Sequence, residues 1–243
     1  MQNTLELKNI YVTVGSIPTV RDVSIVIPRG KVVALMGPNG SGKSSLVNAV
    51  MGHPHYAITK GHIILNGEDI TNLPPHEKAQ KGLFLSLQHQ PALPGVTVFS
   101  FLRNALAALT KNAVPALEFQ KRLEEEMVHL GMDKELASRH VNEEFSGGEK
   151  KRLEALQLTL FKPKFALLDE TDAGLDVDAL KTVAKTMQGY ASNMGILLIT
   201  HHTRILQYLV PDKVHVMQGG QIIRSGGKEL AEEIEAKGYN IKL

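Results

Sequence analysis

Apolar residues in the first third of the chain fall into short runs. "LELKNI" from Leu5, "RDVSIVI" from Arg21, "KVVALM" from Lys31 and "GHIILN" from Gly61 have the length and β-branched content of strands. Gly15, Pro18, Pro28-Arg29-Gly30 and Asn66-Gly67 separate them as turns. The pattern predicts a partly antiparallel β layer around a first buried strand, Lys31 to Met36. The middle differs. Thr97 to Ala108 and Ala116 to Leu130 space their apolar residues helically, punctuated by Pro91, Pro94 and Pro115. Residues from about 90 to 160 are expected to form a helical lobe. Later, "FALLDE" from Phe165 and "GILLIT" from Gly195 are continuous apolar runs ending in polar residues. Such runs suit parallel strands buried on both faces. A helical stretch from Asp178 to Tyr190 lies between them, as a βαβ unit requires. "KVHVMQ" and "QIIRSG" predict a hairpin turning at Gly219-Gly220, and "KELAEEIEAKG" a closing helix capped by Gly238.

Between the strand "VVALM" and the helical "SLVNAVMG" stands "GPNGSGKSS", Gly37 to Ser45. It matches G-x-x-x-x-G-K-[ST] in full, in the strand–loop–helix context that this motif needs. Glycines let the backbone curl so that successive N–H groups point at phosphate, and the helix N-terminus adds partial positive charge. Gly37, Pro38, Asn39, Gly40, Ser41, Gly42, Lys43, Ser44 and Ser45 are therefore expected to cradle a nucleotide. Lys43 would reach the β- and γ-phosphates and the Ser44 hydroxyl would ligate Mg²⁺. A plain Gly-rich turn would leave Lys-Ser at that offset unexplained.

"FALLDE" ends in two acids. Neighbours on a strand point to opposite faces. At the end of a strand, though, both can lie at the mouth of the sheet, where α/β proteins bind ligands. Asp169 is suited to hold Mg²⁺, and Glu170 to orient and polarise an attacking water. Gln88, after "LFLSL", and His201, after "GILLIT", emerge at strand ends in the same way; Gln90 and His202 compete with them.

A second turn, "FSGGEKKR", is harder to place. Ser146 and Glu149 form a capping box before Leu153, Leu156 and Leu160. That leaves two glycines in a first helical turn, each about 1 kcal/mol worse than Ala. It also leaves Lys150, Lys151 and Arg152 near the positive end of the helix. An anion approaching the helix start would account for both. The anion could belong to the nucleotide of the same chain or to one held by another copy.

Composition narrows the classes. The chain has 243 residues, 43% apolar, with 27 Lys and Arg against 25 Asp and Glu. That is enough for a sizeable core, and the near balance of charge argues against a nucleic-acid partner. There is no cysteine, which excludes a disulfide, a thiolate nucleophile or a cysteine-ligated cluster. No apolar run reaches the roughly 20 residues of a membrane-spanning helix, and "MQNTLELKNI" lacks a signal core. The expectation is a cytoplasmic protein with no direct membrane insertion.

In order, the phosphate loop, Gln88, "FSGGE", "LLDE", "AGLD" and "THH" resemble an ABC-type ATPase domain. The resemblance implies an α/β P-loop fold with a RecA-like parallel-sheet core, an N-terminal antiparallel β layer and an inserted helical subdomain. One domain would span 1–243, with 1–90 and 160–243 as core and about 91–159 as helical subdomain. It implies ATP hydrolysis, with ATP sandwiched between two copies. Ser146, Gly147 and Gly148 would close on the partner's γ-phosphate, and Asp176 would lie in the loop crossing the seam. His201 would contact the γ-phosphate, and Gln88 would join the metal site to the helical lobe.

"SGGEKKR", "DETDAGLD" and "VPDKVHV" are similar to SufC, the ATPase subfamily of the SUF iron–sulfur assembly system. Leu153 and the second histidine after His201 depart from its pattern. That similarity implies a SufB/SufD-type scaffold as partner, touching Pro91 to Leu106 through residues such as Val98, Phe99, Phe101 and Leu102. The alternative is the ATP-binding subunit of an ABC membrane transporter. ABC domains usually stack adenine on an aromatic where this chain has Val14; Tyr11, on the other face, is expected to pack instead.

Overall fold

Burial alternates along β1 (Thr4–Val14): Leu5 and Leu7 point inward, then Ile10 and Val12. The step from Leu7 to Ile10 is odd, and the pairing register shifts there, with Asn9 at φ 48°. The bulge resets the phase so that both halves of one long strand bury the same face. β2 (Ile17–Pro28) pairs antiparallel with β1. β3 (Val32–Met36) is buried throughout and runs into the phosphate loop and α1 (Lys43–Met51). β4 (Tyr56–Leu65) and β5 (Glu68–Asp69) complete a four-stranded antiparallel sheet ordered β2-β1-β4-β5. The first buried strand is thus not part of that layer; it belongs to a second sheet.

A short helix, α2 (Pro75–Gln80), precedes β6 (Leu83–Ser86). Then come β7 (Leu93–Thr97), α3 (Val98–Thr110), α4 (Ala116–His129), β8 (His140–Val141) and α5 (Gly147–Phe161). The remaining elements are β9 (Phe165–Asp169), α6 (Val177–Ala191), β10 (Gly195–Ile199), β11 (Lys213–Gln218), β12 (Gln221–Gly226) and α7 (Lys228–Lys237). This computed structural model describes residues 3–87, 90–171, 177–201 and 204–239, with backbone alone at 177–179.

The second sheet has six strands, ordered β12-β11-β3-β10-β9-β6, parallel except for the β11–β12 hairpin. Its central strands β3, β10 and β9 are buried on both faces. Val33, Leu35, Phe165, Leu167, Leu197 and Ile199 face the antiparallel layer and α1. Ala34, Leu168 and Leu198 face the other way, toward Leu156, Val183 and Leu230 of α5, α6 and α7. Each fully buried aliphatic side chain contributes roughly 1.5–3 kcal/mol, so these two cores fix the layering.

The register aligns the strand ends. Leu35, Ile199 and Asp169 are level, and Ser86 is level with Leu168 one step earlier. The loops after β3, β6, β9 and β10 therefore leave the sheet at one edge, the carboxyl end, where such sheets bind ligands.

Candidate nucleotide site

The phosphate loop closes on itself. Gly42 N-caps α1 at φ 104°, and a Cβ there would lie 2.5 Å from the Thr19 carbonyl oxygen. A Cβ on Gly37 would meet the Met217 carbonyl oxygen at 2.2 Å. Glycine is required at both points because another backbone occupies the space. Lys43 is 4% exposed, and its Nζ donates to the carbonyls of Gly37 (2.8 Å) and Pro38 (3.0 Å) and to Ser41 Oγ (3.4 Å). Burial pushes its pKa down, against the opposing pull of Glu170 and Asp169.

The Ser44 hydroxyl donates to Asp169 Oδ1 at 3.2 Å, joining the loop to β9. Burial pushes the Asp169 carboxyl up to about 6; Glu170 pushes the same way, while Ser44, Lys43 and Lys151 oppose it. Its Oδ2 is buried without a hydrogen-bond partner. An orphaned carboxylate oxygen beside a serine hydroxyl is the hard-oxygen donor set that suits Mg²⁺. That ion takes one or two protein ligands and fills the rest of its shell with water and substrate phosphate. Among the described residues no group of three or more His, Cys, Asp or Glu could hold an ion by itself, consistent with that division.

Glu170 comes to the same mouth by a backbone device. β9 stops at Asp169, and Glu170 takes a left-handed φ of 51° while its N–H donates to the Ile199 carbonyl at 3.0 Å. That conformation costs of order 1–3 kcal/mol in a non-glycine residue. It turns Glu170 off the strand alternation and into the cleft. His201 Nδ1 is 3.2 Å from Glu170 Oε1. The structure thus brings together Lys43, Ser44, Asp169, Glu170 and His201.

The cleft holds about 540 Å³ and is lined by Asn39 to Ser45, Glu170, the start of β2 and Gly219-Gly220. Ile17, Pro18, Thr19, Arg21, Gly219 and Gly220 were not singled out as site residues from the sequence. They are knitted in by backbone: Gly220 N donates to Ser41 O (3.0 Å), and Arg21 N to Gly220 O (2.8 Å). The one signal available was Ile17, an apolar residue at a hairpin start; it is 66% exposed. Among the described residues no aromatic lines the cleft. Val14 does not reach it, and Tyr11 lies instead under Lys60, whose Nζ is 5.2 Å from the ring centroid.

Ser146, Gly147 and Gly148 do not line this cleft. Ser146 N-caps α5 in a complete capping box: its Oγ accepts from Glu149 N (3.2 Å) and its N–H donates to Glu149 Oε2 (2.7 Å). Those bonds hold the Glu149 carboxyl below the usual carboxylate range. Ser146 and Gly147 are exposed, and a Cβ at Gly148 would meet nothing within 4 Å. Packing within the chain therefore gives no reason for glycine at 148. Contrary to the expectation from sequence, Lys151 needs no external anion: it is buried and its Nζ lies 3.1 Å from Glu154 Oε2. Gln88 and Asp176 fall outside the described residues, as does His202. Val98 and Leu102 are core, and Phe99 packs edge-on to Phe119, so most apolar residues of the expected scaffold contact serve the helical lobe.

The ABC transporter family model matches residues 20–173. Vegetative protein 296 of Bacillus subtilis (strain 168) is 46% identical over 241 residues, covering 98% of this chain and 92% of that protein. A probable ATP-dependent transporter, ycf16, of Pyropia yezoensis is 44% identical over 244 residues, covering 98% and 97%. Among solved structures, a nucleotide-free ATP-binding cassette from an ABC transporter superposes with a TM-score of 0.78 at 26% identity, covering 98% of this chain and 96% of that one. The dimeric cassette MJ0796 shares the fold, with a TM-score of 0.81 at 20% identity and coverage of 92% and 98%. The chain belongs to the ABC transporter ATPase family, and it is an ATP-binding, ATP-hydrolysing cassette.

Proposed function

We propose that two copies of this chain hydrolyse ATP in shared sites, each using its own phosphate loop and the other's Ser146-Gly147-Gly148. The observation that carries this reading is the separation of parts. Lys43, Ser44 and Glu170 line one cleft, with Asp169 bonded to Ser44 and His201 beside Glu170, while the exposed glycine turn at Ser146 does not line it. Residues 37–45 would wrap the phosphates with backbone N–H groups, and Lys43 would exchange loop carbonyls for phosphate oxygens. Ser44 and Asp169, with Gln88, would hold Mg²⁺, which when bound neutralises developing phosphate charge. Glu170 would orient the attacking water, its carboxylate held in place by His201, which would also contact the γ-phosphate. Asp176 would lie at the seam between copies.

The hydrolysis would drive a mechanical step in a partner. The motifs "SGGEKKR" and "DETDAGLD" support a SufC-like role, moving a SufB/SufD-type scaffold in iron–sulfur cluster assembly. The absence of cysteine fits, since the scaffold would then hold the cluster. A second reading, the ATP-binding subunit of a membrane transporter, is favoured by the names of relatives such as the probable ABC transporter ATP-binding proteins of Streptococcus pyogenes, 45% identical over 240 residues. No helix among the described residues is long and apolar enough to cross a membrane. Affinity purification from the native cell, with partners identified by mass, separates the two. A soluble scaffold is expected; a recovered permease would overturn the SufC-like role and leave the ATPase intact.

A further inference from the structure

Where the end of β6 meets α5, three polar side chains are buried together. Ser86, Lys151 and Glu154 are 1%, 8% and 2% exposed. Ser86 Oγ donates to Glu154 Oε1, and Lys151 Nζ lies 3.1 Å from Glu154 Oε2. Neither Nζ nor Oε2 has a well-aligned hydrogen bond, so charge rather than directed bonding holds that pair. Lys151 also acts on Asp169, lowering its proton affinity against the effect of burial. Glu154 borders a small cleft of about 190 Å³ together with Leu87, Gln90 and Asn142.

Apolar side chains would fill this contact without the desolvation that ions require. A buried pair is therefore weak evidence of stability, and its best-attested use is to fix one arrangement among several. Its position gives the pair a purpose. Ser86 ends β6, two residues before Gln88, and Lys151 and Glu154 lie in the first half of the helix that Ser146 begins. One carboxylate ties the strand leading to the Gln88 loop to the helix that presents the glycine turn.

We propose that Glu154 is a positioning residue. It locks α5 to the end of β6 and so sets the angle at which one copy's Ser146-Gly147-Gly148 meets the nucleotide of the other. It acts through Ser86 and Lys151 and lies outside the nucleotide cleft. The proposal rests on the shared-site reading above.

The test uses the full chain carrying Glu170→Gln, so that bound ATP persists. ATP affinity is measured on dilute protein with a fluorescent ATP analogue, and ATP-driven self-association by analytical ultracentrifugation. Adding Glu154→Gln or Ser86→Ala is expected to leave ATP affinity within about twofold and to raise the protein concentration for half-association at least tenfold. The two changes together are expected to do little more than the worse one alone, as members of one network. An association midpoint that does not move in folded variants overturns the proposal. So does a parallel loss of ATP affinity and melting temperature, which marks a merely structural role. If Glu154→Gln does not fold, Ser86→Ala, which removes a single hydroxyl, decides by the same two numbers. If the Glu170→Gln parent itself fails to associate with ATP, the shared-site reading falls and takes this proposal with it.

Discussion

Glu170 stands one residue past the end of β9, turned by a positive φ into a cleft whose other walls are the phosphate loop and the β1–β2 hairpin. On the proposed reading its carboxylate polarises water while the loop binds ATP. Glu170→Gln is expected to bind ATP as the parent does while losing at least a hundredfold in turnover, measured by phosphate release against nucleotide affinity. Among the described residues that line the cleft, which include Ile17 and Arg21, there is no aromatic ring. Stacking a base on an aromatic is worth about 1–3 kcal/mol, and the described lining offers no such contribution. GTP turnover is expected within about tenfold of ATP turnover under matched conditions; a ratio in the hundreds would require a contact the cleft does not show.

Away from the site, His215 bonds Ser225 Oγ through Nδ1 at 2.7 Å and buries Nε2 without a partner. Burial, with Lys213 nearby, pushes its pKa down to about 4. In the unfolded chain the ring takes a proton near pH 6.5. Between about pH 6.5 and 4 the unfolded state therefore binds more protons, and stability falls as pH falls. From pH 7 to pH 5 the parent's urea midpoint is expected to fall relative to that of His215→Gln, a comparison that removes the opposite contribution of Asp169, whose raised pKa favours the folded state as pH falls. At this scale the sequence made Lys43, Ser44, Asp169 and Glu170 legible through motif spacing. Ile17, Arg21 and Gly219-Gly220 were not, because their place in the cleft comes from contacts between distant strands.

Among the elements, α5 carries most of the interest. The Ser146 hydroxyl satisfies one orphan N–H of the helix's first turn, that of Glu149, as Thr97 does for α3, where Thr97 Oγ1 accepts from Ser100 N at 3.2 Å. Removing either cap hydroxyl costs about 1 kcal/mol of stability. Ser146→Ala and Thr97→Ala are thus expected to lower the melting temperature by similar amounts. On the shared-site reading Ser146→Ala alone should reduce turnover, since in that reading the Ser146 hydroxyl meets a phosphate and the Thr97 hydroxyl does not. Equal turnover in the two variants would reduce Ser146 to a helix cap. Helix spacing located α3 and α4 to within about two residues, because each buries one stripe: Val98, Leu102 and Leu106, and Phe119, Leu123 and Met127. α2, β7 and β8 escaped notice. They are short, and β7 with β8 pairs across more than forty residues of chain, which no local pattern records.

For the molecule as a whole, the six-stranded order and its register decide function by aligning four loops at one edge. The continuous apolar runs announced buried parallel strands, but not their order, since neighbours in the sheet are remote in sequence. On the proposed reading the edge so formed supplies a phosphate cradle, a metal acid and a water-orienting acid, while the Ser146 turn does not line that cleft.

That incompleteness is best tested by mixing two inactive proteins, one carrying Lys43→Ala and the other Ser146→Arg. In a mixed pair one pocket combines the intact Lys43 of one copy with the intact Ser146 of the other, while the second pocket is doubly damaged. Equal mixing makes about half the pairs mixed, so about a quarter of parental activity is expected from proteins that alone have almost none. A mixture no more active than the sum of its separate components would show that each copy completes its own site.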